Sequence, residues 1–141
     1  MTVKIDISKI KQSKQKIYPT MLYYLTKTVN QYEQFRTFMD ENNNICIFDK
    51  MSPCYTVFHE DTETFSNIWT QYHEDYDKFL NNYNEDIHKF GSVHKFNAKP
   101  NIPANTFPVS MIPWETFDSF NLNLQKGYTY LLPIFTMGKN Y

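Results

Sequence analysis

Three apolar segments in the last third of the chain constrain its fold most strongly. Phe107–Ile112 is an apolar run that carries a single hydroxyl, Ser110. Phe120–Leu124 alternates between apolar and polar residues, which is the period of a half-buried strand. Tyr130–Met137 is almost continuously apolar, as expected for a strand in the middle of a sheet. Together these segments predict three strands of one sheet.

Shorter strands and their boundaries are predicted from the same kind of pattern. Alternation predicts a strand over Val3–Ile7, and short apolar runs predict strands over Ile45–Phe48 and Tyr55–Phe58. Breaks are expected at Ser52 and Pro53, at Pro113 and Trp114, and in a turn at Lys126 and Gly127.

Helical spacing of apolar residues predicts two main helices. Ser8 is predicted to be the N-cap of a short exposed helix, and Pro19 fits the first turn of the next, amphipathic helix, where a missing N–H costs nothing. A longer helix is predicted to begin after Ser66 and to end at Gly91. The segment 92–105 is expected to be an irregular connection. Acidic residues are expected on the solvent face of the long helix: Glu74, Asp75, Asp77, Glu85 and Asp86.

Composition limits the function classes. The 141 residues fit one domain, and the net charge of −1 argues against nucleic acid as a main partner, because phosphate binding depends on clustered cations. The sequence contains no window of about 18 apolar residues that predicts a membrane span. The segment MTVKIDISKIKQ lacks the apolar core of a signal peptide, so the cytoplasm is expected. Cys46 and Cys54 are expected to be reduced.

Three segments near the C-terminal end carry a resemblance to a known family. The segments PVSMIPW, FDSFNLNL and LLPIFTMGK resemble the chloramphenicol acetyltransferase family, as do YPTMLYYLTKTVNQYEQFR and PCYTVFHEDTETFSNIW upstream. The resemblance implies an α/β fold of the CoA-dependent acyltransferase type, with a mixed β-sheet covered by helices, incomplete at both ends in this chain. The family's opening strand and helix and its His-His-x-x-x-Asp-Gly motif, which holds the catalytic histidine, have no counterpart here.

The resemblance also implies roles for particular residues. Ser110 matches the serine that stabilises the oxyanion, and Thr136 matches the threonine that assists it. Tyr18 and Trp114 fall near the arm of the acetyl donor, acetyl-CoA. Positions that line the chloramphenicol pocket are occupied here by Thr56, Phe65, Phe96, Leu122 and Ile134. The family resemblance further implies a homotrimer and no metal.

The residues considered without the resemblance leave other interpretations open. A serine on a buried strand is commonly a structural hydroxyl bonded to the backbone. The spacings among His59, His73, His88 and His94 lack the close i, i+3 or i, i+4 pattern of zinc ligands, and none is expected to be a catalytic base.

Three functional hypotheses follow. The first is a chloramphenicol O-acetyltransferase, or a relative acting on a similar hydroxylated molecule, whose 141 residues alone have little activity because the base is missing. The second is a non-catalytic remnant or a partner subunit that lends one pocket face to an intact trimer. The third is another acyltransferase of this fold, such as the core of 2-oxoacid dehydrogenase complexes.

Overall fold

The computed structural model describes residues 1–123, 127 and 129–139, which form an α/β structure. Its helices are α1 (Ser8–Gln12), α2 (Ile17–Gln31) and α3 (Tyr76–Phe90), with one 3₁₀ turn at Glu33–Phe35. Its strands are β1 (Thr37–Met39), β2 (Ile45–Ile47), β3 (Ser52–His59), β4 (Thr64–Trp69), β5 (Thr106–Thr116) and β6 (Phe135–Lys139). Within the described residues, no helix combines the length and the apolar character needed to cross a membrane.

The main sheet is mixed, as the sequence predicted. Its strand order is β4-β3-β5-β6, and β1 with β2 forms a separate two-stranded sheet. β3 pairs antiparallel with β4 and parallel with β5, and β5 pairs parallel with β6. Parallel pairing requires a long connection; between β3 and β5 it consists of β4, α3 and the segment 91–105.

The core lies between this sheet and the helices α2 and α3. Tyr55 is fully buried in β3, and its ring lies 5.9 Å from the ring of Tyr18 and 5.4 Å from that of Tyr83. Val109 is the register partner of Tyr55 in β5. Side chains alternate between the two faces of a strand, so the neighbours of Tyr55 and Val109 along each strand point to the opposite face.

The strand around Ser110 is confirmed, but its end was predicted wrongly. β5 continues through Pro113 and Trp114 to Thr116, and its pairing with β6 shifts register between Ile112 and Thr116. A proline is tolerated in a strand at such an irregularity because no regular ladder hydrogen bond is lost. Ser52 and Pro53 likewise begin β3 instead of interrupting it.

Three other strand predictions are wrong in whole or in part. Val3–Ile7 forms no strand, and Val3 and Ile5 are exposed. An alternating pattern is not sufficient for a strand, because a strand also needs a neighbouring strand with which to pair. Residues 120–123 also form no strand, while Leu124 and Lys126 lie outside the described residues. Of Tyr130–Met137, only the part from Phe135 is a strand, and it lies at the sheet edge.

The long helix begins later than predicted. Residues up to Trp69 form β4, and α3 begins after Asp75, whose carboxylate accepts a hydrogen bond of 3.0 Å from the backbone N–H of Lys78. This is the N-cap arrangement that satisfies a free N–H at a helix start. His73 therefore precedes the helix. The short exposed α1 and the end of α3 before Gly91 are confirmed, but the N-cap of α1 is Ile7, and Ser8 is its first helical residue.

Asp86 does not lie on a solvent face, contrary to the prediction. Its side chain is buried between α3 and β4, where Thr70 Oγ1 donates to Oδ2 at 2.8 Å and Lys99 Nζ donates to Oδ1 at 2.7 Å. The apolar period could not reveal this partner, because Lys99 comes from the irregular segment after the helix.

Candidate functional site

Three hydroxyl-bearing residues occupy neighbouring positions on β3, β5 and β6. Ser110 and Thr136 are register partners in the parallel pair β5–β6, so their side chains share one face of the sheet. Tyr55 and Val109 are register partners, and Thr56 and Ser110 are the next residues on β3 and β5. Thr56 Oγ1 accepts a hydrogen bond of 3.4 Å from the backbone N–H of Met111. The three residues form a row across the face opposite to Tyr55 and Val109.

The hydroxyls of Ser110 and Thr136 are partly exposed and open to an external group. Within the described part of the chain, neither makes a hydrogen bond to another protein side chain. A hydroxyl in this condition can donate its hydrogen to an oxygen of a bound molecule.

A cleft of about 310 Å³ is lined by one member of this row, Thr56, whereas Ser110 and Thr136 are not among its lining residues. The regular pairing of β3 with β5 ends at Tyr55 and Val109, although both strands continue, and the cleft lies where they separate. Most of its wall is apolar. The lining residues are Tyr18, Thr56, Val57, Phe58, Tyr83, Ile87, Met111, Pro113 and Trp114.

Tyr18 and Trp114 therefore meet in one cleft with Thr56. The Tyr18 hydroxyl donates to the carbonyl oxygen of Thr56 at 3.0 Å, and burial raises the pKa of its phenol. The phenol consequently stays protonated at neutral pH and holds α2 against β3. Trp114 is 57% exposed, and its ring lies 4.7 Å from the ring of Phe58.

The remaining predicted substrate-binding residues lie outside the cleft lining. Phe65 and Phe96 face each other at 6.4 Å between ring centres, although they come from β4 and from the segment after α3. Leu122 and Ile134 are not part of this pair or of the cleft lining. The four side chains are exposed by 53%, 70%, 53% and 37% in sequence order, so they form no closed pocket in the isolated chain.

Several lining residues were not identified from the sequence. Tyr83 and Ile87 are one helical turn apart on α3 and point to the same face, but the same spacing also describes an ordinary core residue. Phe58, Met111 and Pro113 line the cleft only because two strands separate there. Local periodicity carries no signal for that separation.

The four histidines lie elsewhere. His59 Nε2 bonds Ser66 Oγ at 2.7 Å, His73 Nδ1 accepts from the Asp75 backbone N–H at 2.9 Å, and His88 is exposed on α3. His94 lies beside His59, with 4.2 Å between ring centres. None of these imidazoles makes a hydrogen bond with Ser110 in the described residues.

Known proteins match this chain along its whole length. The family profile described as chloramphenicol acetyltransferase matches residues 1–141. A chloramphenicol acetyltransferase of Campylobacter coli is 60% identical over 141 residues, covering all of this chain and 68% of that protein. Another, of Vibrio anguillarum, is 57% identical over 141 residues, covering all of this chain and 65% of that protein.

A solved structure described as chloramphenicol acetyltransferase shares the fold. It has a TM-score of 0.75 at 18% identity, covering 93% of this chain and 64% of that one. The chain thus spans about two thirds of the length of the relatives and of the solved structure it matches.

The fold and the sequence matches together define the class of protein as an acyltransferase. Within that class, the chain belongs to the chloramphenicol acetyltransferase family.

Proposed function

We propose that this chain acts in the transfer of an acetyl group from acetyl-CoA to a hydroxyl of chloramphenicol, or of a similar molecule, with Ser110 stabilising the oxyanion. The observation that carries the proposal is the pairing of Ser110 with Thr136 on adjacent parallel strands, next to Met111, which lines the apolar cleft. Family membership supports the same reaction class. The thioester of acetyl-CoA supplies an activated acetyl group.

The role of Ser110 follows from the charge that acyl transfer produces. When an alcohol attacks an acyl carbon, the carbonyl oxygen becomes negatively charged, and a fixed donor stabilises that charge more than the neutral starting state. The Ser110 hydroxyl can donate without ionising, so a mainly apolar strand is a suitable support. Thr136, one strand away, is placed to donate to the same region. Loss of one such donor costs about 10²- to 10³-fold in rate.

The cleft fits the elongated arm of acetyl-CoA better than a compact charged ligand. Its wall is largely apolar, and Trp114, which is part of that wall, is exposed to solvent. Within the described residues, no Asp, Glu, Lys or Arg lines it. We infer that Tyr18 fixes the width of the cleft through its bond to Thr56, and that Trp114 contacts the donor. Quenching of tryptophan fluorescence by CoA, lost in Trp114→Leu and kept in Trp69→Phe, would support this assignment.

A general base is still required, because the attacking hydroxyl must lose its proton. The four histidines of this chain bond elsewhere or lie on other surfaces, so we infer that the base is not among them. Lack of a base lowers the rate about 10²- to 10⁴-fold. The 141 residues alone should therefore acetylate chloramphenicol slowly.

A chimera tests this proposal. Residues 1–141 would replace the matching segment of the Campylobacter coli relative, which is 60% identical and extends beyond it. Release of CoA thiol in the presence of chloramphenicol should be fast with the chimera and slow with the 141 residues. A folded but inactive chimera would contradict the proposal, as would rapid turnover by the 141 residues alone.

The exposed residues that were predicted to bind substrate favour a second role, in which they form one wall of a pocket shared with a neighbouring subunit. Phe65 and Phe96 are large apolar side chains left open in the isolated chain, and a homotrimer, implied by the family resemblance, would cover such surfaces. The chain can be mixed with an intact homologue and tested for co-elution. A partner subunit should elute together with the homologue, whereas a remnant should elute alone.

A further inference from the structure

Three side chains that bind metals in other proteins meet away from the candidate site. His59 ends β3, Asp61 lies in the turn to β4, and His94 lies in the segment after α3. Their potential ligand atoms all lie within 4.8 Å of one another. Sequence spacing gave no reason to expect this His59–Asp61–His94 cluster, because its members come from two distant segments.

The hydrogen bonds of His59 leave one ring nitrogen suited to a metal. Ser66 has a single hydroxyl hydrogen, which it donates to the carbonyl oxygen of Val93 at 2.8 Å. The bond of 2.7 Å between Ser66 Oγ and His59 Nε2 is then donated by the imidazole N–H. In a neutral imidazole the other nitrogen, Nδ1, carries a lone pair. An N–H donated to a fixed partner is the usual support of a metal-binding histidine.

The distances are close to those of a tetrahedral site. Zinc bonds of about 2.1 Å place neighbouring ligand atoms about 3.4 Å apart, and His94 Nε2 already lies 3.6 Å from Asp61 Oδ1. His59 is buried and fixed, whereas the side chains of His94 and Asp61 are exposed by 41% and 66%. The two exposed side chains can therefore move the remaining distance of at most about 1.4 Å.

We propose that His59, Asp61 and His94 bind a divalent transition-metal ion of the zinc class, with water in the fourth position. Two imidazoles and one carboxylate are a ligand set that suits this class. The ion would join the β3–β4 hairpin to the segment that carries Phe96, which is already held to β4 by a backbone bond of 2.7 Å from Asn67 N–H to the Phe96 carbonyl. This site is independent of the proposed acetyl transfer.

Titration of the purified chain with ZnCl₂ by calorimetry tests the proposal without any activity assay. One Zn²⁺ should bind per chain, and the melting temperature should rise with Zn²⁺ concentration because only the folded state brings the ligands together. Co²⁺ should give the visible absorption of a four-coordinate ion. Metal binding should weaken about tenfold or more in His94→Gln and in Asp61→Asn.

His88→Gln is the matched control, because His88 is also an exposed histidine but lies on α3 outside the cluster. It should bind Zn²⁺ as the unchanged chain does. Equal metal-free melting temperatures would show that His94→Gln and Asp61→Asn remain folded. Absence of binding, or equal affinity in the unchanged chain and in His94→Gln, would overturn the proposal and leave His94 and Asp61 as an ordinary surface contact.

Discussion

Ser110 differs from an ordinary buried serine in its neighbours. Backbone carbonyls usually satisfy such a hydroxyl, whereas here the adjoining strands carry Thr56 and Thr136 at neighbouring positions on the same face. The sheet therefore fixes the position of the hydroxyl, while no other described side chain forms a hydrogen bond with it. The family resemblance identified both Ser110 and Thr136, but only the strand register shows that they lie side by side.

The reactivity of the Cys54 thiol tests whether this part of β3 is shielded from solvent. Burial raises the pKa of its thiol to about 11, and the thiolate is the form that reacts with alkylating agents. At pH 8 the folded protein should therefore hold about a hundredfold less Cys54 thiolate than the unfolded chain. In a Cys46→Ser variant, iodoacetamide should modify Cys54 slowly, and urea should restore rapid modification. Equal rates in buffer and urea would show that Cys54 is not shielded.

At the scale of elements, the Asp86 network fixes α3 to β4 and to the segment after α3. Thr70 Oγ1 donates to Asp86, so the bond of 2.8 Å between Tyr55 and Thr70 is donated by the Tyr55 hydroxyl. The same Lys99 ammonium that donates to Asp86 lies 3.8 Å from the centre of the Trp69 ring. The network therefore continues from β3 to the irregular segment.

Removal of the Asp86 carboxylate should destabilise the fold strongly. Asp86→Ala leaves the largely buried Lys99 ammonium without its partner, which costs about 3–5 kcal/mol. The exposed pair of Glu85 with Lys89 is the matched control, and Glu85→Ala should change the free energy of unfolding by less than about 1 kcal/mol. Urea unfolding of both variants gives the comparison, and similar losses would contradict the assigned role of Asp86.

The prediction of secondary structure was most accurate where the spacing of apolar residues fitted only a helix or only a strand. The Ser110 strand and the second half of the long helix were recognised because each has a clear period. Ile68, Trp69 and Tyr72 fit a helical spacing, yet Ile68 and Trp69 belong to β4. A buried strand and a helical turn are indistinguishable over so few residues.

The candidate site was less predictable than the elements. The proximity of Phe65 to Phe96 and the separation of β3 from β5 are tertiary features, and family resemblance alone named the residues concerned. The His59–Asp61–His94 cluster is also a tertiary feature, and neither a local pattern nor the family resemblance indicated it.

At the scale of the whole molecule, the buried tyrosines predict the response to alkaline pH. Burial raises the pKa of Tyr18 and Tyr55, and raises that of Tyr83 to about 12 from an ordinary 10.0. These phenols stay neutral in the folded state while the unfolded chain ionises. Stability should be constant with respect to them below pH 10 and should fall as the pH rises from 10 towards 12. Melting temperatures across this range measure the effect, and an unchanged value at pH 11 would contradict it.

The proposed function depends on one property of the whole molecule: the sheet face that carries Ser110 stabilises the oxyanion of acetyl transfer. The most direct measurement is the kcat for chloramphenicol of the chimera with Ser110→Ala, compared with Ser92→Ala, an exposed serine outside the cleft lining. We expect kcat to fall about 10²- to 10³-fold for Ser110→Ala and to stay unchanged for Ser92→Ala. Equal kcat values for the two folded variants would contradict the claim.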